Sequence, residues 1–408
     1  MTDGRVLDTV ECQLANQPTA LVVRYRGQLR RPALDLAFQR LAEANPLLRA
    51  RLVSVDGLLS FHIDAEHPSP PVVGAGDHVS LLRQVAQTWS TGNALSRLVV
   101  SVEQDGGHVG MFTDHSIADG RAKFALLVEL WAIYTALAEG GRAEPVAQVV
   151  PAPPTVVLAG RLGRAVPPLT QPSGRPGDGK VELRKRYTTF SADETAALTA
   201  FARAGGLTVN ALLAGAILAS QLRCAEQGPE PIEMTCVSRI DLRSRVDPPI
   251  GALETTNLSG VHAARVPVGL DTDPADIART INQQLRASVG KRFPENDFLD
   301  RSFAEREHSG AAGLSTVALS NLGRLPDLPA PAGLSLEGFS IFSHSGAMAH
   351  PAYAVSTYRD QLSIQFLYDP RHFDDETMRV VIDDVTRFLR SPQRHRPAVH
   401  PLPAGGPR

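Results

Sequence analysis

The stretch FTDHSIADG, Phe112 to Gly120, sets a histidine, an aspartate four residues later and a glycine between an apolar run and a long helical pattern. Upstream, Arg97 to Phe112 reads largely as strand, and downstream, Arg121 to Glu139 reads as helix. In that helix Phe124, Leu127, Val128, Trp131 and Tyr134 fall three or four apart. Leu126, Leu130 and Ile133 widen the stripe until most of the helix must be buried. His115 therefore stands on a loop between two rigid elements, where a scaffold can hold a reactive group in place. An imidazole with a pKa of about 6.5 is largely neutral near pH 7 and free to accept a proton. Asp119 would fix the turn by hydrogen bonding or by pairing with a distant arginine, and Gly120 would let the backbone reverse without a side-chain penalty. The string alone fits a satisfied turn as well as it fits a general base.

Working outward, each half of the chain mixes strands and helices. Leu21 to Leu29 alternates like a strand and Ala33 to Ala44 has helical spacing. The text changes after Glu144: residues 145–180 are dense in proline and glycine, which rules out an ordinary helix or central strand and suggests a long crossover. Beyond it, Ser191 and Glu194 form a capping box for a helix ending near Gly205-Gly206. Asn210 to Leu222 is an almost wholly apolar helix, Asp273-Pro274 opens a third, and Asp374 a last one to about Leu389. Ile232 to Val237, Tyr353 to Tyr358 and Gln361 to Tyr368 read as strands, the last two forming a hairpin across Arg359-Asp360. The organisation expected is an α/β fold with an N-terminal half over 1–144, a linker over 145–180, a C-terminal half over 181–390 and a disordered tail over 391–408.

At 408 residues the chain suits two domains of about 150 residues or more. A hydrophobic content of 43% supports a real core. Lys plus Arg number 41 against 43 Asp plus Glu, so no net field attracts nucleic acid or an anionic bilayer. The amino terminus lacks the pattern of a signal peptide and no apolar run is long enough to span a membrane, so the expected location is cytoplasmic. Cys12, Cys224 and Cys236 are scattered and read as reduced, buried thiols. His344-Ser345-Gly346 and His350 invite a hydrolase or metal reading, but no Gly-x-Ser-x-Gly elbow or His-Glu-x-x-His helix supports it. No phosphate loop or dinucleotide fingerprint occurs either.

Three further stretches accompany the histidine loop in order: Asn45-Pro46-Leu47-Leu48-Arg49; Asp241-Leu242-Arg243-Ser244-Arg245 with Pro248-Pro249 and Asn257; and Ser320-Asn321-Leu322-Gly323. Together they resemble the motifs of the thioester-dependent acyltransferases of the chloramphenicol acetyltransferase and condensation-domain superfamily, over most of residues 10 to 390. The loop and its apolar helix look most like those of the stand-alone polyketide-associated acyltransferases that esterify phthiocerol. The resemblance implies two chloramphenicol-acetyltransferase-like mixed-sheet halves with an active-site tunnel at their interface. It implies His115 as general base, Asn321 as oxyanion donor unless it only closes a turn before Gly323, and Asp119 paired with Arg243 across the halves beside Gly120. Asp114, Ser116, His344 and Ser345 would line the tunnel, the last two alternatively serving as a loop cap.

The implied reaction is acyl transfer, without a covalent acyl-enzyme, from a thioester to a hydroxyl of a lipid or polyketide-type natural product. The thioester of an acyl carrier protein or coenzyme A would be a co-substrate, with no tightly bound cofactor and no metal. An acyl carrier protein or polyketide synthase is the expected partner, nucleic acid is not, and the chain is expected to be a monomer. An amide-forming enzyme and a non-catalytic carrier-binding module are the alternatives. The latter gains from one departure: the family's first motif histidine is Asp114 here, and a carboxylate beside His115 is expected to raise its pKa.

Overall fold

The computed structural model describes residues 4–64, 70–171, 183–224, 230–300, 313–343 and 348–392. His344 and Ser345 and the tail beyond 392 lie outside the described residues. The strands are β1 (Pro18–Gly27), β2 (Ala50–Val55), β3 (Leu58–Ile63), β4 (Val72–Ala75), β5 (Ser96–Glu103), β6 (Gly106–Asp114), β7 (Arg184–Thr189), β8 (Ile232–Asp241), β9 (Ser259–Val268), β10 (Thr316–Arg324), β11 (Leu334–Ser343), β12 (Ala352–Tyr358) and β13 (Gln361–Tyr368). They build two mixed sheets, ordered β11-β1-β6-β5-β4 and β7-β13-β12-β10-β8-β9, with β2 and β3 as a separate pair.

The first sheet is covered on both faces, and the period-two alternation of its strands decides which residues go where. Leu21, Val23, Leu98, Val100, Val109 and Met111 join the larger core with the helices Arg31–Ala44 and Gly120–Ala138. Their neighbours Ala20, Val22, Val99 and Phe112 face the other way, onto Leu82, Val85 and Ala86 of the helix His78–Gln87. The second sheet carries its own core around the helix Val209–Cys224, buried along most of its length. Its hairpin β12–β13 turns through Arg359 and Asp360, both at positive φ, as a two-residue hairpin turn requires. The Ser191–Glu194 capping box is made in both directions.

Three features depart from the sequence reading. Arg97 to Phe112 is two antiparallel strands, because Gln104-Asp105 followed by Gly106-Gly107 is a turn signal inside an otherwise strand-like run. The proline-rich segment contains the helix Pro154–Leu162. Its prolines sit before and at the first helical position, where no donor is lost, the next eight residues contain none, and Gly163 ends it at φ 63°. This helix packs Leu158 and Ala159 against Val10, Leu242, Leu258 and Phe298, and its Thr155 N–H donates to Asp8 Oδ2 at 3.0 Å. Finally, β11 lies in the second half of the chain but pairs with β1 of the first sheet, from Thr19↔Ser343 to Gly27↔Leu334. The boundary between sheets is therefore not a single point in the sequence.

Gly215 marks a close helix crossing. A Cβ there would collide with the Pro274 carbonyl oxygen at the start of the helix Pro274–Gly290. Gly215→Ala should destabilise the protein by about 1–3 kcal/mol through overpacking, read as a lower midpoint in urea with an unchanged slope.

Candidate active site

The strand β6 ends at Asp114 and the helix Gly120–Ala138 begins six residues later, so residues 115–119 form a short, heavily tied loop. His115 N–H donates to the Gln17 carbonyl at 3.1 Å and Asp119 N–H to the Thr256 carbonyl at 3.0 Å. From the second half, Asn257 Nδ2 donates to the His115 carbonyl at 2.8 Å. Asn257 belonged to a matched stretch in the sequence, yet its role as the clamp of the histidine backbone was not legible there.

Asp119 is the best-satisfied group of the loop. Its Oδ1 accepts from Arg121 N at 3.1 Å and Ala122 N at 3.0 Å, capping the helix. Its Oδ2 accepts from Arg243 Nη1 at 2.6 Å and Leu258 N at 2.8 Å. Both members of the pair are nearly inaccessible, with side chains 4% and 5% exposed. Burial alone would raise the Asp119 pKa. The Arg243 guanidinium and the backbone donors outweigh it and hold the carboxyl below its usual range.

His115 is partly buried. Burial, with the positive charges of Lys123 and Arg239, pushes its pKa down to about 3, against the pull of its own carbonyl and of Asp119. The expected upward shift from Asp114 is not what the structure shows. Asp114 Oδ1 turns back to accept from Ser116 N at 3.1 Å and Ser116 Oγ at 2.6 Å, and burial raises the pKa of that carboxyl. Both residues are fully buried, so Asp114 and Ser116 do not line an opening but brace the loop from within.

Lys123, which the sequence reading took only as part of the helix, lies beneath them. It is 2% exposed, donates from Nζ to the Thr113 carbonyl at 3.3 Å, and is pushed by burial down to about 7, with Asp114 and Asp119 opposing. A charged residue in an otherwise apolar stripe was the signal available. Glu11 was also missed: buried, it takes Arg5 at 2.6 and 2.7 Å and Thr256 Oγ1 at 2.6 Å, steadying the segment that grips the loop.

Between the halves opens a cleft of about 100 Å³, lined among others by Asp119, Gly120, Phe124, Arg239, Arg243 and Asn321. The loop lines this cleft through Asp119 and Gly120, and His115 is not among its lining residues. Gly120 has an ordinary helical conformation. No backbone reversal occurs there, and a Cβ would come 2.6 Å from Leu322 Cδ2 across the cleft, so a side chain at this position would oblige Leu322 to turn away. Asn321 Oδ1 accepts from Gly323 N at 2.8 Å, with Gly323 at φ 72°, so the side chain does close a turn. Asn321 also lines the cleft, together with Arg239 and Arg243. On the loop's other flank, Ile117 and Ala122 meet Asn45, Pro46, Leu47 and Leu48 around a small apolar cavity of about 30 Å³. This locates the first matched stretch beside the same loop.

Asp119→Ala leaves Arg243 buried without its partner and should cost about 3–5 kcal/mol, measured by denaturant unfolding. The sign with pH follows from the depressed carboxyl. Its contribution is complete above an unfolded value of about 3.9 and is lost as pH falls towards the folded value. The gap between parent and Asp119→Ala should therefore narrow below about pH 4.

The family model for the phthiocerol/phthiodiolone dimycocerosyl transferase C-terminus matches residues 179–367. The phthiocerol/phthiodiolone dimycocerosyl transferase of Mycobacterium ulcerans is 28% identical, covering 85% of this chain and 87% of that protein. The enzyme of the same description from Mycobacterium sp. (strain JLS) is 28% identical over 91% and 92%. The structure of polyketide synthase associated protein 5 from Mycobacterium tuberculosis superposes with a TM-score of 0.79 at 22% identity, covering 96% of this chain and 99% of that one. Trichothecene 15-O-acetyltransferase from Fusarium sporotrichioides gives 0.71 at 12% identity over 95% of each chain. The first condensation domain of the CDA synthetase gives 0.69 at 14%, again over 95% of each. Matched along most of its length by dimycocerosyl transferases, the chain is an acyltransferase, and its fold is the two-lobed one seen in condensation domains.

Proposed function

We propose that the protein transfers an acyl group from a thioester of an acyl carrier protein or coenzyme A to a hydroxyl of a lipid or polyketide-type product. His115 takes the proton as the hydroxyl oxygen attacks the thioester carbonyl. The C–S bond then breaks as the tetrahedral intermediate collapses, and the proton passes to the departing sulfur. No covalent acyl-enzyme and no bound cofactor are needed. The Asn321 amide is the donor nearest in kind to what the developing oxyanion requires.

The observation that carries this reading is an imidazole kept uncharged on a loop braced from both halves. A base with so low a pKa has little driving force in the resting enzyme. It gains as negative charge develops on the substrate and favours the imidazolium. The polyketide-associated neighbour and the lipid-acylating relatives support the choice of acceptor class.

Incubation with a panel of acyl thioesters and both alcohol and amine acceptors should yield ester. Amide product would reassign the acceptor, and binding without turnover would make the chain a carrier-binding module. His115→Ala should retain the fold and lose about 100- to 10,000-fold in turnover; parental turnover would remove this histidine from the chemistry. Because the ring is held down to about 3, kcat/KM should stay level from neutral pH to about pH 5 and fall only in stronger acid. Lys123→Met, which removes a positive charge acting on the ring, should move that acid limb upward.

A further inference from the structure

At the other end of β6 from the histidine loop, three side chains from separate segments converge. His78 opens the helix His78–Gln87, Glu103 ends β5, and His108 lies three residues into β6. One ligand atom from each, two imidazole nitrogens and a carboxylate oxygen, lie within 4.8 Å of one another. The two imidazoles stack with centroids 3.6 Å apart and planes 13° from parallel. His108 Nδ1 stands 3.2 Å from Glu103 Oε1, yet that buried nitrogen makes no well-formed hydrogen bond.

His108 Nδ1 and Glu103 Oε1, with a ring nitrogen of His78 beside them, bring three ligand atoms from three segments to one point, where a single cation can be shared. The surrounding charges are accounted for. Asp77 is occupied as the helix cap, accepting from Val79 N, Ser80 N and Ser80 Oγ. Arg24, opposite His108 on β1, is the opposing positive charge and lies 3.9 Å from Glu337.

We propose that His78, Glu103 and His108 form a binding site for a single first-row divalent transition-metal ion of the zinc type. Two imidazoles and one carboxylate suit Zn²⁺, Co²⁺, Ni²⁺ or Cu²⁺ and not Mg²⁺ or Ca²⁺, which prefer all-oxygen shells. Ligand distances of about 2.0–2.2 Å require the two imidazoles to turn out of their stacked arrangement so that their in-plane lone pairs converge on one point. Glu103, with a side chain 41% exposed, leaves a remaining position open to water. The ion would pin the helix His78–Gln87 to the β5–β6 hairpin. Six residues of strand separate His108 from Asp114, about 20 Å at 3.3 Å per residue, so the ion stabilises the first sheet and takes no part in acyl transfer.

The test uses the full chain, stripped of metal and titrated with ZnCl2 by calorimetry and with CoCl2 by visible absorption. One ion per chain and a higher melting temperature are expected, both lost in the His78→Ala/His108→Ala double variant, with affinity about tenfold or more weaker in Glu103→Gln. A parent that binds no ion, or binding that persists undiminished in the variants, overturns the proposal. Should the double variant fail to fold, Glu103→Gln alone decides, since its changed side chain is largely at the surface.

Discussion

One carboxylate, Asp119, ties together the two halves of the molecule and the loop between them. It caps the helix that follows the loop, accepts from the backbone of Leu258, and pairs with Arg243 at 2.6 Å in a nearly dry environment. Removing two charges from water is costly, and only a full set of donors makes such a pair tolerable. Asp119 has four, spread over two segments that are more than 100 residues apart in the chain. The position of His115, four residues before it, is thereby fixed relative to the second sheet as well as the first.

The charges inside the loop act as a set. Asp114 stands beside His115, and a carboxylate there would be expected to favour protonation of its neighbour. It does not, because its oxygen is turned onto Ser116 and the buried Lys123 lies close enough to oppose it. Lys123 in turn disfavours a second positive charge on His115. The carboxylate at 114 is thus satisfied by local hydrogen bonding and a buried amine, and leaves the imidazole neutral.

Topology explains why the interface is so well braced. β11 leaves the second half of the chain to complete the first sheet, and the helix Pro154–Leu162 packs between the short helix Thr9–Leu14 and residues of the second half. The segment Thr255 to Leu258 runs alongside the histidine loop, with Thr255 Oγ1 bound to the Ala152 carbonyl and Thr256 bound to Glu11. Separating the halves would break β-ladder bonds and expose buried carboxylates together, which couples the integrity of the site to that of the whole fold.

Local chemistry was enough to read the elements whose signals are local: the capped helices at Ser191, Asp273 and Asp374, the hairpin across Arg359-Asp360, and the histidine loop between a strand and an apolar helix. Asp119 could be read as a residue that fixes its turn, whereas Arg243 and Asn257 stood out only through the resemblance to the acyltransferase motifs. What they do was settled only by tertiary contacts. A side chain's partner across more than 100 residues, the direction in which Asp114 turns, the sheet that β11 joins and the pKa of His115 all depend on groups brought together from distant segments. Burial and Coulomb terms are properties of three-dimensional neighbours, so sequence by itself determined which groups could act here, and folding alone decided which of them meet and in what charge state.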